Sequence, residues 1–176
     1  KGHDSIVQVL AEAGAETSGL TNVGLMKAAK SGDESRVRDL LESGVDIEVK
    51  AGIGYTALMN ASKEGHENVV QVLLAAGANV HASSAHCSTS LTLASEYGHE
   101  PCVQALLAAG ADVHASDNDG DTSLLCAAGE GHESIVRLLL EAGADKDAKN
   151  KDGKTALMRA TENGHEAVVT LLSGWE

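Results

Sequence analysis

The segment GHESIVRLLLEAGADKDA at residues 131–148 recurs as GHENVVQVLLAAGANVHA at 65–82 and as GHEPCVQALLAAGADVHA at 98–115, and it begins again as GHEAVVTLLSGWE from residue 164. Gly65, Gly98, Gly131 and Gly164 stand 33 residues apart, and Gly32 lies 33 before Gly65, followed by Asp33 in place of histidine. Gly2-His3 lies 30 before Gly32, so three residues are missing from that interval. A fixed period of this length restricts the fold more than any other property of the chain. One such unit is too short to bury its own apolar face, so it must lean on its neighbours as in a stacked solenoid.

One period reads clearly from 119 to 151. Asp119-Gly120-Asp121 is turn chemistry. Thr122 is placed to cap a short helix over 123–130, with Leu124, Ala127 and Ala128 on its inner face. Gly131 suits a left-handed helix end. His132 opens a second helix whose apolar stripe is Ile135, Val136, Leu138, Leu139 and Leu140, ended by Gly143. Ala144 to Ala148 is expected to run as a short extended segment into the next turn. Glu67, Glu100, Glu133 and Glu166 fall in the first turn of each second helix, where a negative charge favours the helix dipole. Pro101 falls there as well, where its missing N–H costs nothing.

The combination resembles the ankyrin repeat: the 33-residue period, T-x-L opening the first helix, Gly-His between helices, then V-V-x-L-L-L-x-x-G-A-D. The resemblance covers the whole chain and implies an all-α solenoid of stacked helix-turn-helix units with short β-hairpin-like fingers. Residues 1–176 form a single domain on this reading, with a partial repeat at 1–19, full repeats at 20–52, 53–85, 86–118 and 119–151, and a C-terminal capping repeat at 152–176. At the C-terminus Ser173-Gly174-Trp175 breaks the leucine pattern, and Trp175 is expected to fold over the last helix. At the other end the apolar stripe Ile6–Leu10 lacks a first-helix mate, so a missing upstream repeat or a neighbouring chain is expected to cover it.

The family's first-helix signature, T-P-L-H, is replaced here by TALM (56–59), TSLT (89–92), TSLL (122–125) and TALM (155–158), and Val23-Gly24-Leu25-Met26 is the weakest copy. In the family that histidine hydrogen-bonds within and between repeats. Met59, Leu125 and Met158 cannot do so, and Thr92 only in part. More apolar packing is expected at this position.

Candidate chemistry is sparse. His66, His99, His132 and His165 fill one repeat position. A column at the spacing of packed helices, about 8–10 Å, cannot bring three or four ligands within about 2.0–2.3 Å of one zinc ion. A structural role is therefore expected. His81, His86, Cys87 and His114 match no strong zinc spacing, and Cys102 and Cys126 have no recognisable His/Asp partners, so neither a metal, a cofactor nor a catalytic group is assigned. Three cysteines without a C-x-x-C pair read as reduced thiols in an intracellular, reducing compartment, the cytoplasm first, with an organelle or the nucleus as alternatives. A net charge of −13 argues against nucleic acid and anionic membranes, and no apolar run is long enough to span a bilayer.

That leaves a non-catalytic interaction module or scaffold subunit that holds a protein partner on its concave face. The alternative is a substrate-recruiting arm of an enzyme whose catalytic domain lies outside this chain. In chains resembling this one, partners meet the finger tips and the outward side of the first helices. Mapped by position, the candidate contacts are Lys50, Ile53, Tyr55, Asn60, Lys63, His86, Leu93, Tyr97, Asp119, Asp121, Lys154 and Arg159. Lys27, Lys30, Lys50 and Lys63 gather early on this face. Asp117, Asp119 and Asp121 form an acidic finger, followed by Lys149, Lys151, Lys154 and Arg159. Patches of this kind would steer a complementary partner into register.

Overall fold

The computed structural model describes residues 22–175. A helix through 22–31 (α1) is followed by α2 (Glu34–Glu42), α3 (Ala57–Glu64), α4 (Glu67–Ala75), α5 (Ser90–Glu96), α6 (Glu100–Ala108), α7 (Ser123–Glu130), α8 (Glu133–Glu141), α9 (Ala156–Glu162) and α10 (Glu166–Gly174). Consecutive helices pair antiparallel within a unit. The first helices α3, α5, α7 and α9 then pack in one row, and the second helices α2, α4, α6, α8 and α10 in another. The fold is therefore the expected two-layered helical solenoid. The stripe Ile6–Leu10 lies outside the described residues.

Each first helix from α3 onward starts at a threonine in extended conformation. The hydroxyls of Thr56, Thr89, Thr122 and Thr155 accept the backbone N–H of Met59, Thr92, Leu125 and Met158. Such a cap is worth about 1 kcal/mol. Thr92 returns the bond, its hydroxyl oxygen accepting the Thr89 N–H at 2.8 Å, which closes a capping box.

The second helices α4, α6, α8 and α10 start at His66, His99, His132 and His165, none of which caps its own helix. Each ring reaches back to the end of the preceding first helix instead. Nε2 meets the carbonyl oxygens of Lys30 (2.9 Å), Lys63 (2.9 Å), Glu96 (3.1 Å) and Gly129 (2.9 Å), each 36 residues earlier. A carbonyl only accepts, so Nε2 carries the proton in all four. The ring lies against the glycine that ended that helix: a methyl on Gly65 would stand 2.4 Å from His99 Nδ1. Gly65 also holds φ at +78°, so both the ring and the backbone require glycine there. The histidine column is thus a set of rivets between layers.

The fingers are joined by a single backbone bond at each junction. Ala85 N–H donates to the Ile53 carbonyl, Asn118 to His86 and Lys151 to Asp119, each at 2.9 Å. Within fingers, isolated antiparallel bridges pair Ala51 with Tyr55, Ser83 with Thr89 and Ser116 with Thr122. The stretch Ala144 to Ala148 is a turn, contrary to the extended segment expected. The Asp145 carboxylate accepts the Asp147 N–H at 2.9 Å, and Asp46, Asn79 and Asp112 make the same turn two residues back from Glu48, His81 and His114. A short side-chain acceptor at that position outweighs the extended preference of its neighbours.

The core is a continuous aliphatic band that runs along the stack between the two rows, built from Leu, Val, Ala and Ile with Cys102 among them. Where the T-P-L-H histidine is absent, Met59 and Leu125 are fully buried, and Met59 joins Leu93 and Ala82 in a separate small cluster under Tyr55. Met158, at the same position in α9, is exposed, and so in part is Leu157 beside it. Trp175 packs half-buried against the main core, and Lys146 Nζ donates to its carbonyl at 2.6 Å.

Candidate binding face

The first helices and the fingers together make one side of the molecule, and the candidate contact residues fall into three groups along it. The first surrounds a groove of about 400 Å³ between α1, α3 and the finger that precedes α3. Val23, Met26, Ile53 and Tyr55 give it apolar walls, and Lys27, Lys30 and Lys50 stand on its rim. Ile53 is half exposed, because its backbone serves the inter-finger bond while its side chain projects outward. Asn60 lies at the inner edge, its amide donating to the Thr56 carbonyl at 3.1 Å. The Lys50 ammonium donates to the Ser83 carbonyl at 2.9 Å, at the next finger and outside the groove lining.

The second group is aromatic. Lys63 Nζ lies 5.0 Å from the centroid of the Tyr97 ring and 5.9 Å from that of Tyr55. Polar contact with the Tyr97 side chain raises the Lys63 ammonium above its ordinary pKa, against the opposing effect of burial. One cation thereby links the rings of consecutive repeats. Tyr97 ends α5 and is largely exposed, whereas Tyr55 is half-buried over the Met59 cluster.

The third group is ionic. Arg159 on α9 meets Asp121 of the preceding finger at 2.8 Å, and Asp121 also accepts the Asn150 amide at 2.8 Å. Lys154 pairs with Glu162 at 2.6 Å. Asp117 turns its carboxylate inward on the N–H groups of Asp119 and Asp121, both at 2.9 Å. Glu96 lies among these acids. Burial, and then Glu130, raise its pKa above the ordinary value. Cys126 is pushed up to about 12, first by burial and then by Asp121, so it stays a thiol.

One candidate is displaced. Leu93 was expected on the open face but is only 3% exposed, covered by Tyr55, Met59 and Ala82 of the repeat before it. The expected patches are altered as well, because Asp121, Lys154 and Arg159 neutralise one another or a neighbour. His86 and Asp119 remain exposed at finger tips. Val23 and the groove it shares with Lys27 and Lys30 were not among the candidates. Its traces in the sequence were the cluster of Lys27, Lys30, Lys50 and Lys63 and the candidates Ile53, Tyr55 and Asn60, which line it.

Among the described residues, no group of three or more His, Cys, Asp or Glu is placed to hold a metal ion, and no helix is long and apolar enough to cross a membrane. Helical pairs riveted in sequence order, with fingers along one edge, define a repeat solenoid. A family model described as ankyrin repeats (3 copies) matches residues 25–117 and 91–175. The chain belongs to the ankyrin-repeat family, whose members are in general protein–protein interaction modules and typically non-catalytic. Comparison with curated proteins gives no match.

Proposed function

We propose that the chain is a non-catalytic interaction module, or a scaffold subunit, that takes a protein partner on the concave face formed by its fingers and first helices. One observation carries this reading. The exposed large apolar side chains among the described residues are Val23 (51%), Ile53 (49%), Tyr97 (46%), Leu157 (36%) and Met158 (48%). All five belong to first helices or fingers; Leu157 and Met158 lie on α9, over which no further described helix pair packs and whose counterparts Leu124 and Leu125 are buried, so Val23, Ile53 and Tyr97 are the three that carry this reading. The exposed positions of the second helices carry Glu67, Gln71, Gln104, Glu133 and Arg137 instead, several tied in i,i+4 pairs that only solubilise the surface. Exposed apolar and tyrosyl side chains confined to one face are what a binding surface requires.

The proposed contacts are Ile53, Tyr97 and Lys63 at the centre, with Lys50, Tyr55, Asn60, His86, Asp119, Asp121, Lys154 and Arg159 around them. A reducing compartment is consistent with the free thiols of Cys87, Cys102 and Cys126. The acidic balance favours a protein partner over nucleic acid. Replacing Ile53→Ser together with Tyr97→Ala should leave the helical circular dichroism unchanged and abolish capture of the partner from native extract. Gln71→Ala with Gln104→Ala, on the opposite side, should leave capture intact. Equal capture by all three proteins would remove the assignment.

A further inference from the structure

The basic residues of this face are distributed in a way that overall charge hides. Among the described residues, Lys154 is paired with Glu162 and Arg159 with Asp121, while Lys149 and Lys151 pair with no carboxylate there but do not line the groove. Lys27 and Lys30 take part in no ion pair there and line one groove together with Lys50, whose ammonium is held by the Ser83 carbonyl. In a chain of net charge −13, two lysines with no carboxylate partner among the described residues, beside an apolar trough, are a local reversal of sign. The trough itself is built from Val23, Met26 and Ile53, and its volume of about 400 Å³ falls in the range of sites that enclose a ligand's apolar groups.

We infer that this groove is the specificity site for a short acidic segment of the protein partner, one that carries a large aliphatic or aromatic side chain between its carboxylates. The inference rests on the interaction reading above and names the partner's chemistry. The apolar residue fills the trough between α1 and the finger before α3, while flanking carboxylates meet the rim lysines. Lys27 and Lys30 are exposed on α1, where an incoming carboxylate reaches them without full desolvation. The lysines would set the on-rate and the direction of approach, and the buried anchor would set the residence time. The remainder of the acidic surface repels the same segment, so it is guided to this end of the stack.

The full chain is titrated, by fluorescence anisotropy, into a fluorescein-labelled peptide with a run of glutamates on each side of a central Leu-Phe pair. Saturable binding is expected, weakening steadily as salt is raised. Replacing Leu-Phe by Ala-Ala, or replacing Lys27→Glu with Lys30→Glu in the protein, should weaken binding about tenfold, and the control pair Lys149→Glu with Lys151→Glu less than about twofold. No saturable binding, equal affinity for the Ala-Ala peptide, or an equal loss in the control pair would overturn the inference. Tighter binding of a labelled oligothymidylate or of phosphatidylserine vesicles through the same lysines would overturn it too. The peptide and salt comparisons use the unaltered protein, so they decide the matter even if the charge-reversed variant misfolds. Should the peptide fail while the Ile53→Ser/Tyr97→Ala protein still loses its partner, only this inference falls. Should both fail, the interaction reading falls with it.

Discussion

The ring nitrogen Nε2 of His99 lies 2.9 Å from the backbone oxygen of Lys63, and the same ring covers Gly65 closely enough to exclude a methyl group there. The relation is repeated by His66, His132 and His165. His99→Ala removes one hydrogen bond and leaves a half-buried carbonyl unpaired, which should cost about 1–2 kcal/mol in urea unfolding. Gly65→Ala should cost more, since it meets the ring and also holds φ at +78°. Adding His99→Ala to Gly65→Ala should recover the steric part only. Additive losses in that double variant would mean the ring does not press on the glycine.

Met59 and Met158 occupy one repeat position and differ in what lies over them. Met59 is sealed by Leu93 and Ala82, while Met158 is open on α9. Met59→Ala should lower stability by about 2–4 kcal/mol, and Met158→Ala by less than about 0.5 kcal/mol. Chemical unfolding of the two proteins side by side checks this, and similar losses would show that α9 is covered in solution.

Ser62 and Ser95 bury hydroxyls with no hydrogen-bond partner among the described residues. The corresponding positions one repeat to either side are Ala29 and Ala128, both buried without strain. Ser95→Ala should therefore stabilise the fold, by about 1 kcal/mol, through removal of an unmet desolvation cost. A lower thermal midpoint in this variant would contradict the packing described.

Glu96 supplies the pH-dependent prediction. Burial and the neighbouring acids Glu130, Asp117 and Asp121 raise its pKa in the folded state, with Lys63 opposing. The folded protein therefore holds this proton more tightly than the unfolded chain. Ionisation of Glu96 weakens the fold at neutral pH, and that penalty disappears as pH falls through the folded value toward the unfolded one. Glu96→Gln should raise the melting temperature at pH 7 by about 1–2 °C and by nothing in acid. A gain that persists unchanged in acid would point to packing rather than charge.

Much of the architecture was legible because it is local and repeated. A threonine three residues ahead of Met59 or Leu125 announces its own cap, and a glycine before His99 its helix end, in each copy from residue 53 onward. The histidine column was readable as structural from spacing alone, though the carbonyl each ring finds was not. Leu93 shows where this reasoning stops. Its helical position matches Asn60, Cys126 and Arg159, which argues for the open side, but Tyr55 and Met59 of the preceding repeat close over it. Side-chain partners that occur once cannot be recovered from a period. The pairing of Arg159 with Asp121 spans 38 residues and has no counterpart in other repeats to reveal it. Without that pairing, Arg159 looks as available as Lys27 and Lys30.

The most direct test of the account asks which face touches the partner. A photo-crosslinking amino acid is placed in turn at Ile53, at Tyr97 and at Gln71, all exposed, the first two on the finger and first-helix side and the last on α4. Irradiation in native extract should join the partner to the protein from positions 53 and 97 and leave position 71 unlinked. Crosslinks from position 71 alone would place the partner on the second helices and contradict the account.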